Sequence, residues 1–356
     1  MIRGSPARAP PGSPMARQTT SLRTYALTRL GLVIPMVLIL LTLVFFLMRV
    51  APGDPVSAAL GGRLSPKELK ERRHAGGYDK PILVQYVNYL GDVARFDFGH
   101  TITDNRPVTR VVVENGSATF ELTFWAMIVA VVVGVTFGLV AGRLRDTAAD
   151  VGIRIFGIVI YAVPPFFLGF LAQLFFGEKL GLLPTSGRAS PETQFLLPVH
   201  THLFLVDALI DGDWASFKDC VRHLILPAAT LGLIISGVLI RLVRVNVLQT
   251  LRGDYIEAAR ARGVGERSVV FRHAFKNALV PVVTVLGLQV ALLLSGAVLT
   301  ETTFNWPGIG FELVRYLNNR DYIAVQGIIT FFALVVIAVS VVIDFVNAWI
   351  DPRVRY

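Results

Sequence analysis

A single cysteine, Cys220, stands among the 356 residues. No disulfide can close within the chain, and no cysteine-based zinc site can form. Charge is scarce as well: Asp, Glu, Lys and Arg make up 17% of residues, against about 25% in a soluble domain. The usual marks of an enzyme are also missing. No Gly-x4-Gly-Lys-Ser/Thr run occurs to cradle nucleotide phosphates, and no His-Glu-x2-His pair to hold zinc. Gly263, Gly265 and Ser268 mimic part of a dinucleotide fingerprint, but no strand precedes them. His200 and His202 lack the further ligands a metal needs. The sequence therefore offers no catalytic residue, no metal ligand and no cofactor held by the chain itself.

Apolar residues are plentiful. They form 53% of the chain, mean hydropathy is +0.59, and they arrive in blocks. Six segments, 27–50, 117–141, 151–176, 224–248, 278–303 and 322–350, are each long enough to cross about 30 Å of hydrocarbon as a helix. They lack the alternation of barrel strands. The expectation is an all-α polytopic membrane protein with six transmembrane helices, bathed by lipid. Residues 1–26, rich in Pro, Arg, Ser and Thr, read as a disordered tail. Residues 27–356 read as one transmembrane domain.

Net charge is +9 and the isoelectric point about 9.9. The excess of Lys and Arg falls in the tails, in the loop between spans two and three, and in the loop between spans four and five. By the positive-inside rule these face the cytoplasm, and both termini with them. Topology explains the basic charge, so a nucleic-acid partner is not expected. Loops 51–116 and 177–223 are then external. The first opens with a stiff turn at 51–55 and continues into a helix that Ser65 caps, with Pro66 at its first position.

The cytoplasmic loop 249–277 is the sharpest feature. Asp254 reads as an N-cap, and Glu257 follows at capping-box spacing. Tyr255 to Arg262 form about two turns, closed by Gly263 as the C′ glycine. Leu251, Tyr255, Ala258, Ala259 and Arg262 fall on one face. A short capped helix on a polar loop is shaped to fill a partner's groove.

Glu257-Ala258-Ala259-x3-Gly263 resembles the EAA motif of bacterial ABC importer permeases. Other runs agree: Gly91-Asp92, Asp97-Phe98-Gly99, Arg106-Pro107-Val108, Tyr161-Ala162-Val163-Pro164-Pro165, His273 to Pro281, Glu301-x2-Phe304-x-Trp306-Pro307-Gly308-Ile309-Gly310 and Asp351-Pro352-Arg353. As a set, from about residue 22 onward, they are similar to the first permease subunit of dipeptide and oligopeptide importers. The resemblance implies the type I permease fold in the bacterial cytoplasmic membrane. It implies a second homologous permease, one or two ABC ATPase subunits that bind ATP and Mg, an extracytoplasmic substrate-binding protein, and peptide cargo. Asp254, Tyr255, Glu257, Ala258, Ala259, Arg260, Arg262 and Gly263 would then couple to the ATPase. One departure stands out: the general motif has Ile-x-Leu-Pro after Gly263, where this chain has His273-Ala274-Phe275-Lys276, as in the peptide branch. Relatives in this branch take nickel chelates, haem, glutathione or sugars, so a non-peptide cargo stays open.

Inside the spans, Pro164 and Pro165 predict a kink. Pro164, Pro165, Gln173 and Gln289 are candidates for the translocation path, with interhelical packing as their plainer role. A secondary transporter working alone would want ionisable groups near the bilayer midplane, but they sit near span ends. An intramembrane enzyme would want a nucleophile and base, and none is found.

Overall fold

The computed structural model describes residues 22–50, 65–75, 77, 79–270 and 275–350. The tail before Leu22, the turn at 51–55, His273 and the run 351–353 lie outside the described residues. Long helices carry the fold: α1 (Leu22–Val50), α4 (Val108–Arg143), α9 (Trp214–Thr250), α12 (Phe275–Phe304) and α14 (Tyr322–Ile350). Shorter ones fill the connections: α2 (Pro66–Ala75), α3 (Ile82–Ala94), α5 (Ala148–Ala162), α6 (Pro165–Ala172), α7 (Pro191–Leu196), α8 (Phe204–Ile210), α10 (Asp254–Ala261), α11 (Glu266–Ser268) and α13 (Ile309–Asn318). A π-helical stretch, Gln173–Lys179, prolongs α6.

Among the described residues, α1, α4, α9 and α14 are long and apolar enough to cross a membrane, and α5 with α6 makes a bent fifth. α12 stands where the span at 278–303 is expected. Several bounds differ from the sequence reading. α1 begins within the tail, and α4 and α9 begin near residues 108 and 214, well before their apolar cores. Backbone hydrogen bonding carries each helix past the hydrocarbon into polar sequence. In the first loop the sequence reading is met closely. Ser65 N donates to Glu68 Oε2 at 2.9 Å, and Glu68 N donates back to Ser65 Oγ at 3.4 Å, the reciprocal capping box.

The span at 151–176 is interrupted rather than merely kinked. α5 and α6 meet at 106°. Val163 and Pro164 are both extended, with ψ of 130° and 139°. Each precedes a proline, which pushes it out of the α region, and neither proline can donate to the ladder.

The core lies along α4 and α9. Gly134, Gly138 and Gly142 are buried every fourth residue on α4. Leu239, Val243 and Val247 are buried at the same spacing on α9. A Cβ at Gly138 would sit 2.6 Å from Val243 Cβ and 2.9 Å from the Ile240 carbonyl oxygen. The side-chain ridge of α9 thus lies in a glycine groove of α4, and the backbones come close because α4 presents no side chains there. On its other side α9 meets α5 just as closely: a Cβ at Gly237 would lie 2.6 Å from the Gly157 carbonyl oxygen.

Three buried carboxylates tie segments far apart in sequence. Arg188 donates from Nε and Nη2 to Glu121 Oε2 at 2.9 and 2.7 Å, and from Nη2 to the His202 carbonyl at 2.8 Å. Its guanidinium lies 4.0 Å from the Phe204 ring centroid, and Leu205 N donates to Glu121 Oε1. Glu121, near the end of its apolar segment in the sequence, is 6% exposed. Asp150, fully buried, accepts from Arg244 Nε and Nη2 at 2.6 and 2.8 Å, which joins α5 to α9. Glu301 accepts from Thr119 Oγ1 at 2.6 Å and from Phe311 N at 2.9 Å. This explains the run from Glu301 to Gly310: the carboxylate of α12 folds back onto the N-terminus of α13, and a Cβ at Gly308 would overlap it. At one end of the bundle Arg29 pairs with Asp344 at 3.1 Å.

Seam and ion pairs both answer to mutation. Gly138→Val should overpack the seam and cost about 1–3 kcal/mol, seen as a lower melting temperature in detergent. Gly152→Ala, where a Cβ meets nothing within 4 Å, should leave that temperature unchanged or raised. Arg188→Ala should strand Glu121 and cost about 3–5 kcal/mol. Adding Glu121→Gln to that variant should recover much of the loss in the same melt.

Candidate coupling helix and translocation path

α10 starts one residue earlier than expected. Gly253 is the N-cap, in an extended conformation, and its carbonyl accepts from Ile256 N at 2.8 Å and Glu257 N at 3.4 Å. Asp254 is already helical, so the expected Asp254–Glu257 capping box does not form. A glycine carbonyl does that work, and the two carboxylates remain as negative charge in the first turn. The far end matches the sequence reading. Gly263 has φ of +78°; its N–H donates to Arg260 O at 2.9 Å, and Val264 N donates to Ala259 O at 3.2 Å. These two bonds make a Schellman cap, which only glycine occupies without strain.

The buried face also differs from the expected one. Ile256 and Ala259 point inward, and Ile256 packs with Val269, Leu251 and Val264 in a small core of its own. Asp254, Tyr255, Glu257, Ala258, Arg260, Arg262 and Gly263 are exposed. Leu251 and Ala259 therefore belong to the plinth, and Tyr255, Ala258 and Arg262 to the outer face. Ile256 and Val269 escape a reading by motif because the EAA pattern names neither; their signal is the apolar character they share with Leu251 and Val264, on which they pack. Arg260 pairs with Glu266 at 2.5 Å, and this hydrogen bond holds the Glu266 carboxyl below its ordinary pKa. Arg262 Nε donates to the Ala258 carbonyl at 3.2 Å. The helix is thus stiffened from within and leaves one polar, small-residue face bare.

The path candidates scatter. Pro164 is exposed at the break, and Pro165 opens α6. Gln173 donates from Nε2 to the Thr185 and Thr303 carbonyls at 2.7 and 3.0 Å, so it braces α6 against α12. Gln289 is buried in α12. The structure does not bring these four to one site.

Residues 134–356 match the family described as binding-protein-dependent transport system inner membrane component. Residues 22–123 match its N-terminal membrane component. The dipeptide transport system permease protein DppB of Alkalihalophilus pseudofirmus is 36% identical over 332 residues, 93% of this chain and 99% of its own length. The di/tripeptide transport system permease protein DppB of Pseudomonas aeruginosa is 40% identical over 92% of this chain and 97% of its own. Its dipeptide counterpart in Escherichia coli is 39% identical over 93% and 98%. Long apolar helices, a capped helix on a polar loop and similarity from end to end lead to one assignment: the chain belongs to the inner-membrane permease family of binding-protein-dependent ABC importers.

Proposed function

We propose that this chain is a permease subunit of an importer for dipeptides or short oligopeptides. The reading of cargo is supported by relatives that carry dipeptide or di/tripeptide permease in their names and match nearly the whole chain. The subunit spans the membrane six times with both termini in the cytoplasm. It pairs with a second homologous permease, receives cargo from an external binding protein and leaves ATP hydrolysis to separate ATPase subunits. α10 docks on one of these through Asp254, Tyr255, Glu257, Ala258, Arg260, Arg262 and Gly263, with Ala259 inside the plinth. The observation that carries the docking assignment is the bare outer face of a helix that already has a core of its own.

ATP binding and hydrolysis drive transport only if the ATPase holds α10 with different free energies in its two states. Gly263 tests this cleanly, because a Cβ there meets nothing within 4 Å of its own chain. Gly263→Trp should insert and assemble but lose dipeptide uptake and substrate-stimulated ATPase activity in the reconstituted importer. The left-handed backbone adds about 1–2 kcal/mol of strain for most side chains, and Gly263→Asn, which tolerates that conformation, should keep most activity. Normal uptake by an assembled Gly263→Trp importer would remove α10 from the ATPase interface.

A further inference from the structure

Between α5 and α9, below the break, lies a cavity of about 590 Å³. Gly157, Ile158, Ala162, Gly237 and Val238 give it an apolar wall. Ile158 and Tyr161, both more than 60% exposed, stand at its mouth, beside the bare apolar side chains of Ile155 and Val159. The cavity therefore opens sideways onto an apolar surface. Its charged groups are Arg154, Arg241 and Arg244. Arg244 is spent on Asp150. Arg154 makes only a long 3.6 Å approach to the same carboxylate and is about half exposed. Arg241 is exposed and has no carboxylate partner among the described residues. Asp150, the acid nearest these arginines, is fully buried.

The site thus has positive charge at one end, an apolar wall at the other and, among the described residues, no carboxylate in its lining. An arginine on a membrane-spanning helix is costly unless an anion or water meets it. Basic pockets between helices on the cytoplasmic side suit lipid phosphates. We propose that this cavity binds an anionic phospholipid, its phosphate against Arg241 and Arg154 and an acyl chain along Gly157, Ile158 and Gly237. A zwitterionic peptide fits less well, because its ammonium group would find no carboxylate. The proposal rests on the proposed membrane topology, with this end of the helices at the cytoplasmic side, and not on the cargo.

Native mass spectrometry of the complete importer, taken from nanodiscs of mixed phosphatidylglycerol and phosphatidylcholine, reads the site directly. Phosphatidylglycerol should be retained in preference, and Arg241→Gln or Arg154→Gln should each cut its retention about fivefold. Arg143→Gln, on an arginine of the same side outside the cavity, should not. Unchanged retention in the Arg154→Gln, Arg241→Gln double variant overturns the proposal. So does full displacement of the lipid by inorganic phosphate, which would make the free ion the ligand. A raised KM for free-carboxyl peptides but not for their amides, with lipid retention intact in Arg241→Gln, would assign the arginine to cargo instead. None of the lipid readouts needs transport, so a failed peptide reading would not be mistaken for a failed lipid site.

Discussion

The backbone of α4 touches α9 because Gly134, Gly138 and Gly142 put no side chains between them. In lipid there is no hydrophobic gain from pairing two apolar helices, so close packing has to hold them. That makes the glycine seam the constraint on which the rest depends. α9 is central: it carries the seam on one side, the Gly157–Gly237 contact with α5 on another, and packs on α12 as well. Polar groups then fix the ends of what packing has brought together. Asp150 with Arg244 joins α5 to α9, and Glu121 with Arg188 closes the loop after α6 over α4. Buried pairs of this kind add little net stability over apolar packing, but losing one partner is expensive. They act as register pins on a bundle whose affinity comes from shape.

Much of this is legible in the sequence, and the reasons are local. A span announces itself by about twenty apolar residues in a row, so composition alone places the long helices. Ser65 reads as a helix cap because Pro66 follows it directly, and the structure adds the reciprocal bond with Glu68 three residues on. Asp254 and Glu257 have the same spacing, yet there the chain turns at Gly253 and the box is not made. Spacing shows that a helix starts, not which residue still counts as outside it. The buried face of α10 departs from its motif for a related reason. Two overlapping stripes exist, and only contact with Val269, thirteen residues past Ile256, decides which is buried.

The non-local links are beyond the reach of sequence pattern. Glu121 and Arg188 are 67 residues apart and Asp150 and Arg244 are 94 apart. No periodicity connects them. Gln173 shows the same limit: in sequence it is a polar side chain within an apolar span, and only the fold shows that its amide donates to the Thr185 and Thr303 carbonyls.

The broken span carries the most mechanical meaning. Its two halves both touch α9 but differ in their further attachments. α5 is bound to α9, through Asp150–Arg244 at one end and the Gly157–Gly237 contact in the middle. The continuation of α6 is bound to the end of α12, through Gln173 and the Thr303 carbonyl, and Gly169 leaves room for Thr303 and Phe304. Between the halves stand Val163 and Pro164, where proline leaves the helical ladder interrupted. α9 is also the helix that runs through Leu251 and Gly253 into α10. On the proposed docking, a displacement applied at α10 would reach α9 first, the helix it follows in the chain. Movement of α9 and α5 relative to α12 would bend span three where its helical ladder is interrupted, at Val163–Pro164, and would also have to slide the direct packing of α9 on α12. On the proposed function, bending at that point would let the two halves of the span move separately, as a path opening alternately to two sides requires.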